Sequence, residues 1–169
     1  MKKIIIISAT LKNNYTLAKD IKNILEDMNA DTLLISLEDY MLPLYTDKVF
    51  SKKKDAFSKE VKYLTNQMNL ADALIICGPE YNGSIAPIIS NMIAWISTST
   101  DYWRDSFVNK TALIATHSGG GGDKFVRGMK IQLEHLGSVV MPTSINVNNS
   151  SPLKKDSAKK ILKQFINLI

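Results

Sequence analysis

Short apolar runs alternate along the chain with longer stretches in which apolar residues recur every three or four positions. Each run is short and contains no lysine, arginine or acidic residue, which is typical of a strand buried on both faces. A fifth strand is expected within residues 138–147, where Pro142 leaves its ends open. The four clear runs are residues 4–7, 32–37, 73–77 and 111–118.

The stretches between these runs show the spacing of helices with one apolar face. A helix of about three turns is predicted over Pro87–Ser97, because proline is well tolerated in a first helical turn. A long polar connection separates the second strand from the helix that follows it. The other four helices are marked by Leu17, Ile21, Ile24, Leu25 and Met28; by Phe57, Val61, Leu64 and Met68; by Val126, Met129, Leu133 and Leu136; and by Ile161, Leu162, Phe165, Ile166 and Ile169.

This alternation of strands and helices predicts an α/β fold with a parallel sheet covered by helices on both faces. Five strands favour the flavodoxin-like, doubly wound order 2-1-3-4-5 over the six-stranded Rossmann order. In that order a ligand binds beyond the carboxyl ends of the strands, at the switch point between the first and third strands. The length, with no visible linker or repeat, predicts one domain over residues 1–169.

Composition and charge narrow the classes of protein to consider. The chain has 169 residues, 45% of them hydrophobic and 22% charged, as in ordinary globular proteins. The first apolar run is too short for a signal peptide and no stretch is long enough for a membrane span, so a cytoplasmic protein without a membrane partner is expected. The net charge is +5, but the lysines are scattered or lie on the last amphipathic helix, so nucleic-acid binding is not expected. The single cysteine, Cys77, offers no intramolecular disulfide, metal cluster or iron–sulfur centre.

The loop after the first strand, "SATLKNNYTLA" at residues 8–18, carries hydroxyl and amide side chains just before a helix. The unpaired N–H groups of a helix N-terminus, together with nearby hydroxyls, suit a phosphate. Asparagine and threonine are also common as ordinary helix caps, so phosphate binding and plain capping both stay open. The loop lacks the G-x-G-x-x-G and G-x-x-x-x-G-K-[ST] patterns of dinucleotide sites and P-loops.

The stretch after the third strand, "GPEYNGSIAP" at residues 78–87, combines two prolines and two glycines with polar residues. Pro79 fixes its own φ, and Gly83 permits a backbone conformation that other residues avoid. Residues 80–82 are therefore expected on a rigid loop at the switch point, where a planar heterocycle could bind backbone groups. The alternative is a stiff turn with an exposed tyrosine.

The segment after the fourth strand, "HSGGGGDK" at residues 117–124, places four glycines before a helix. Glycine costs about 0.5–1 kcal/mol relative to alanine in ordered structure. The run is therefore expected where the backbone approaches a flat ligand without a Cβ in the way, and Ser118 adds a hydroxyl. A simple flexible loop is the alternative.

Taken together, these motifs resemble the NAD(P)H-dependent FMN reductase family, which has a flavodoxin-like fold. "GPEYNGSIAPIISNMIAWIS" resembles that family's P-E-Y-N-x-S signature and the asparagine and tryptophan that follow it. "HSGGGGDKFVRGMKIQLEHLGSVVMP" is similar to its glycine-rich segment and the next helix, and the resemblance covers essentially the whole chain. The first loop departs from the G-S-x-R-x-x-S-x-N of many members, because it is shorter and has Lys12 but no arginine. Phosphate binding is therefore expected to rely more on amides and hydroxyls.

The resemblance implies that three loops bind FMN, mostly through backbone groups around its isoalloxazine ring. It also implies NADPH or NADH as co-substrate, a small-molecule electron acceptor, and a homodimer or homotetramer. The apolar helix Pro87–Ser97 would then pack against both the sheet and a partner subunit. The implied residues are Ser8, Thr10, Asn13, Asn14, Tyr15 and Thr16 in the phosphate loop, Pro79, Glu80, Tyr81, Asn82 and Gly83 beside the ring, and Ser118, Gly119 and Gly120 approaching it from the other loop.

The implied function is hydride transfer from NAD(P)H to FMN and then reduction of a small acceptor such as a quinone, azo compound, free flavin or metal oxyanion. The flavin carries this chemistry, so no catalytic side chain is nominated. The alternatives are a non-enzymatic electron carrier of the flavodoxin type, which the basic net charge weakly opposes, and a flavin-free binding or scaffold protein. Trp103 and Arg104 belong either to a structural loop or to a cover over the flavin, within one chain or across a dimer.

Overall fold

A parallel sheet lies at the centre of the fold, and the computed structural model describes residues 2–40, 42–53 and 58–169. The elements are β1 Lys3–Ser8, α1 Asn13–Glu26, β2 Asp31–Ser36, α2 Asp47–Lys53, α3 Ser58–Leu70, β3 Ala73–Cys77, β4 Glu80–Tyr81, β5 Ser84–Ile85, α4 Pro87–Ser97, β6 Thr111–His117, α5 Asp123–His135, β7 Val139–Val140, β8 Ile145–Val147 and α6 Lys155–Asn167. The strand order is β2-β1-β3-β6-β7, and β8 also pairs with β6. The predicted order 2-1-3-4-5 is confirmed, because β7 and β8 are two parts of the predicted fifth strand.

Helices cover both faces of this sheet, as the uninterrupted apolar runs predict. Ile4 and Ile6 of β1 pack in one cluster with α1 and α6, whereas Ile5 and Ile7 pack in another with α3, α4 and α5. All four side chains have 0% of their surface exposed. Because successive side chains of a strand point to opposite faces, a strand in this position must be apolar at every residue.

The predicted fifth strand is interrupted in its middle. The β7 segment pairs with Thr111 and Ala112 at the beginning of β6, and β8 pairs with residues 115–117 at its end. Pro142 lies between the two segments and has no N–H to donate to the ladder. Pro142, which left the ends of the fifth strand undefined in the sequence, therefore lies where that strand is interrupted.

Several predicted bounds need correction at their ends. Met28 and Ile169 lie beyond the ends of α1 and α6, although both pack against the same core cluster. Leu37 belongs to a short 3-10 turn rather than to β2, and Ser118 follows β6 rather than ending it. Phe57 lies outside the described residues. Among the described residues, no helix is both long and apolar enough to cross a bilayer.

The polar connection after β2 contains a helix, α2, that its sequence did not predict. The connection is held by α4: the Trp95 Nε1–H donates to the Pro43 carbonyl over 2.8 Å, and the Asn91 side chain accepts from the Tyr45 N–H over 2.7 Å. The rings of Tyr45 and Phe50 lie 5.3 Å and 6.3 Å from the Trp95 ring, measured between centroids. Part of the apolar surface of α4 is thus covered by this same chain.

Candidate active site

Three loops meet at the carboxyl edge of the sheet and enclose a cavity of about 360 Å³. They follow β1, β3 and β6, as the switch-point argument predicts. Eight of the predicted site residues line this cavity, namely Thr10, Asn13, Asn14, Pro79, Glu80, Tyr81, Ser118 and Gly119. It is also lined by Lys12, Glu38, His117 and Asn149.

The stretch "GPEYNGSIAP" forms a small β-hairpin in the structure. Strands β4 and β5 are antiparallel, with Glu80 opposite Ile85 and Tyr81 opposite Ser84. Asn82 and Gly83 connect them at φ values of 50° and 71°, as a two-residue type I′ turn requires. The Asn-Gly pair was the available signal for this hairpin, but strands of two residues show no alternation from which to recognise it.

The hairpin is attached to α5 and to the glycine loop through Glu80. The Glu80 carboxylate accepts hydrogen bonds from the Lys124 N–H over 3.0 Å and from the Phe125 N–H over 3.3 Å. An acid in this position caps the helix and interacts favourably with its dipole. The Glu80 N–H donates to the Ser118 hydroxyl over 2.8 Å, and that hydroxyl also pairs with Thr116 over 2.8 Å. The side chains of Glu80 and Ser118 therefore hold two of the three loops together.

The glycine run contains positions with different requirements. Gly122 has φ 72°, and a Cβ there would lie only 2.5 Å from the Thr116 Cγ2, so the fold itself excludes a side chain. A Cβ at Gly119 or Gly120 would have no other atom within 4 Å. The backbone at these two positions is thus open to a neighbour.

The first loop is joined to the end of β6 by Asn14, which is only 3% exposed. Its side-chain amide donates to the His117 carbonyl over 2.9 Å and accepts from the His117 N–H over 2.8 Å. The buried Ser8 hydroxyl donates to the Thr10 carbonyl over 2.8 Å. Both side chains maintain the shape of the loop.

The N-terminus of α1 is available to an anion. Its N-cap residue, Lys12, makes no side-chain capping bond, and the first turn contains no acidic residue. The Tyr15 N–H donates to the Lys12 carbonyl over 3.0 Å, whereas the first two amides of a helix have no partner within it and can donate to a ligand. Lys12 is the one cation among the described residues that line the cavity, beside the acids Glu38 and Glu80.

The remaining predicted site residues lie outside the cavity lining. Thr16 lines a neighbouring cavity, and the ring centroid of Tyr15 lies 5.3 Å from the Lys19 amino group. Asn82 and Gly83 form the exposed tip of the hairpin. The Gly120 carbonyl accepts from the Asn148 side-chain amide over 3.2 Å.

Strand β8 and the segment after it contribute residues that the sequence did not single out. The Asn146 side-chain amide donates to the Gly121 carbonyl over 2.9 Å, so Asn146 and Asn148 each bind one carbonyl of the glycine loop. Asn149 lines the cavity itself. These asparagines were not predicted as site residues, because the ends of the fifth strand were not defined in the sequence.

Trp103 and Arg104 lie away from this cavity. The Trp103 ring packs 5.3 Å from the ring of His135, at the end of α5, and the Arg104 guanidinium lies 4.3 Å from the Trp103 ring. Because α5 starts at the carboxyl edge beside Glu80, its far end lies at the opposite edge of the sheet. Within one chain these residues cannot cover the candidate site.

Cys77, the last residue of β3, is expected to be chemically inert in the folded protein. It has no exposed surface, and burial raises the pKa of its thiol above the ordinary range. The native protein should show no reaction with Ellman's reagent at mildly alkaline pH, whereas the guanidinium-unfolded protein should release one equivalent of thiolate. Fast labelling of the native protein would contradict this assignment.

The family of the chain follows from its sequence as a whole. The sequence profile of a family described as NADPH-dependent FMN reductase matches residues 2–151. The chain belongs to the NADPH-dependent FMN reductase family.

Several proteins that are similar to this chain are described as reductases or oxidoreductases. The chain is 32% identical to a quinone reductase of Escherichia coli K12 over 59% of its own length and 52% of that protein, and 24% identical to an NADPH azoreductase of Bacillus sp. OY1-2 over 85% and 75%. Among solved structures it is similar to the flavoenzyme NAD(P)H:(acceptor) oxidoreductase FerB of Paracoccus denitrificans, with a TM-score of 0.80 and 22% identity over 99% of this chain and 97% of the other. The alignments span only 52–62% of the length of the first curated relatives that the chain matches.

Proposed function

We propose that this protein is an FMN-dependent oxidoreductase that uses NADPH or NADH to reduce a small acceptor. The acceptor is a quinone, azo compound, free flavin or metal oxyanion. The observation that carries the proposal is the meeting of three loops around one cavity of about 360 Å³, at the edge of the sheet where this fold binds ligands. Membership of the FMN reductase family supports it.

The residues present fit FMN on three counts. The uncapped N-terminus of α1 suits a phosphate, with Thr10 and Asn13 as further hydrogen-bonding groups. Gly119 and Gly120 leave space where other residues would carry a Cβ, which suits the edge of a flat ring system. Tyr81 is 50% exposed on the hairpin and can contact a planar ligand.

FMN, when bound, accepts a hydride and passes electrons on, so the chain itself needs no acid or base. The residues of the chain would bind the flavin and orient it. The α1 amides would hold the phosphate, and residues 79–83 and 118–120 would hold the ring, mostly through backbone groups. Because the side chains of Asn14, Glu80 and Ser118 are bonded to neighbouring loops, their contribution is to keep these backbone groups in position.

The proposal is tested by an anaerobic titration of the FMN-reconstituted protein with NADPH and with NADH, following the visible absorbance of the flavin. Stoichiometric bleaching by at least one nucleotide is expected, and the better donor identifies the co-substrate. Free FMN at the same concentration is the control. Bound FMN that neither nucleotide bleaches would favour a flavodoxin-type electron carrier, and failure to bind FMN would favour a flavin-free protein.

A homodimer or homotetramer stays a prediction from the family resemblance. The apolar character of α4, which suggested a partner subunit, is explained in part by Tyr45 and Phe50 of the same chain. A cytoplasmic location and a single domain likewise stay predictions.

A further inference from the structure

A second and larger cavity, of about 510 Å³, lies between α1 and residues 147–153. Asn13, His117 and Asn149 line both this cavity and the candidate FMN cavity. The two cavities therefore meet at the N-terminus of α1, where the phosphate of FMN is proposed to bind. The size of the second cavity lies within the range of about 300–1,000 Å³ typical of small-molecule sites.

The walls of this second cavity combine an apolar surface with polar groups. Leu17 and Val147 are buried, and with Leu153 they form an apolar surface that suits the face of a purine. Thr16 and Asp20 lie on the same side of α1 as Leu17, because residues three and four apart are neighbours on a helix. A carboxylate beside such a surface can accept hydrogen bonds from ribose hydroxyls, as it does in dinucleotide sites of related α/β folds.

Three of the polar side chains that line this cavity have no partner in the part of the chain that the structure describes, whereas that of Asn148 is bonded to the Gly120 carbonyl. Asn13, Thr16 and Asp20 make no side-chain hydrogen bond or ion pair there. Asn14, one residue from Asn13, uses both ends of its amide to bind His117. The amides of Asn14 and Asn148 are thus used by the fold, whereas the side chains of Asn13, Thr16 and Asp20 are left for a ligand.

We infer that the second cavity binds an adenosine group and that the Asp20 carboxylate accepts hydrogen bonds from it. The inference rests on the proposed function for the position of the phosphate. FAD carries an adenosine beyond its phosphates and FMN does not. A FAD molecule with its flavin in the first cavity and its phosphates at α1 would therefore place its adenosine in the second. The adenosine of the nicotinamide co-substrate is the other source of the same chemistry.

The site itself is tested with adenosine, which contains neither flavin nor phosphate. Adenosine added to the ¹⁵N-labelled full chain should shift the amide signals of Leu17, Asp20 and Leu153. Asp20→Trp, which fills the cavity, should abolish these shifts, and Asp20→Ala should weaken them. Asp27→Ala, the same charge change at the other end of α1, should leave them unchanged. Absence of any shift at these residues in the wild-type protein would overturn the inference.

The source of the adenosine is tested by comparing dissociation constants. If the source is FAD, Asp20→Ala should weaken FAD binding about tenfold, the loss expected for one charge-assisted hydrogen bond, while FMN binding changes by less than about twofold. If it is the co-substrate, the same factor should appear in NADH binding to the FMN-loaded protein. No effect of Asp20 on either ligand would overturn the inference even where FMN binds normally. Adenosine shifts in a protein that binds no FMN would support it while the proposed function fails.

Discussion

Replacing Asn14 with alanine is expected to weaken FMN binding by about 10- to 100-fold and to lower the free energy of unfolding by about 1–3 kcal/mol. The side chain makes two hydrogen bonds to the backbone of His117, over 2.9 Å and 2.8 Å, and is buried. Without it, an N–H and a carbonyl at the end of β6 lose their partner. The first loop is then no longer held against the loop that follows β6. Urea unfolding and fluorescence titration with FMN measure the two effects.

Two neighbouring variants show which property of Asn14 matters. Asn13→Ala should leave the free energy of unfolding unchanged within about 0.5 kcal/mol, because its side chain is exposed. Asn14→Asp retains an acceptor for the His117 N–H, but it replaces the donor with a buried carboxylate oxygen that faces the His117 carbonyl, so it should destabilise the protein at least as much as alanine does. Its added negative charge should repel the FMN phosphate and weaken binding further. An Asn14→Ala protein that binds FMN with wild-type affinity would show that this connection between loops is not needed for the site.

Replacing Gly122 with alanine is expected to destabilise the protein by about 2–4 kcal/mol. The residue has φ 72°, in the left-handed region that costs an L-residue about 1–2 kcal/mol. A new Cβ would also lie 2.5 Å from the Thr116 Cγ2, and overpacking of this kind costs about 1–3 kcal/mol. Urea unfolding of the purified variant measures the loss.

Gly119→Ala is the matched variant in the same run of glycines. Its Cβ would meet nothing within 4 Å, so stability should stay within about 0.5 kcal/mol of wild type. If the backbone here approaches the flavin, the added methyl should nevertheless weaken FMN binding, and titration of both variants under folding conditions separates the two effects. A Gly119→Ala protein with unchanged FMN affinity would remove this glycine from the proposed site, and a stable Gly122→Ala protein would contradict the steric argument.

The positions of most strands and helices were readable from local pattern. Residues 73–77 and Pro87–Ser97 have the same bounds in the structure as in the prediction, because an uninterrupted apolar run and a proline-started helix are local signals. The helix α2 was missed since the contact that holds it, between the rings of Phe50 and Trp95, joins residues far apart along the chain. The hairpin at residues 80–85 was missed since its strands are too short to show alternation.

The sequence by itself determined the order of the sheet, the edge at which the loops meet, and the family of the chain, because these follow from apolar runs and contiguous motifs. Only the tertiary structure decided what the polar side chains of those loops do. The Asn14 side chain pairs with a residue 103 positions away, and the Glu80 carboxylate with one 44 positions away. Local spacing carries no information about such partners. Asn14, Glu80 and Ser118, which suited a ligand in the sequence, join the loops to one another in the structure. The backbone of the loops and the first turn of α1 are therefore left for the proposed ligand.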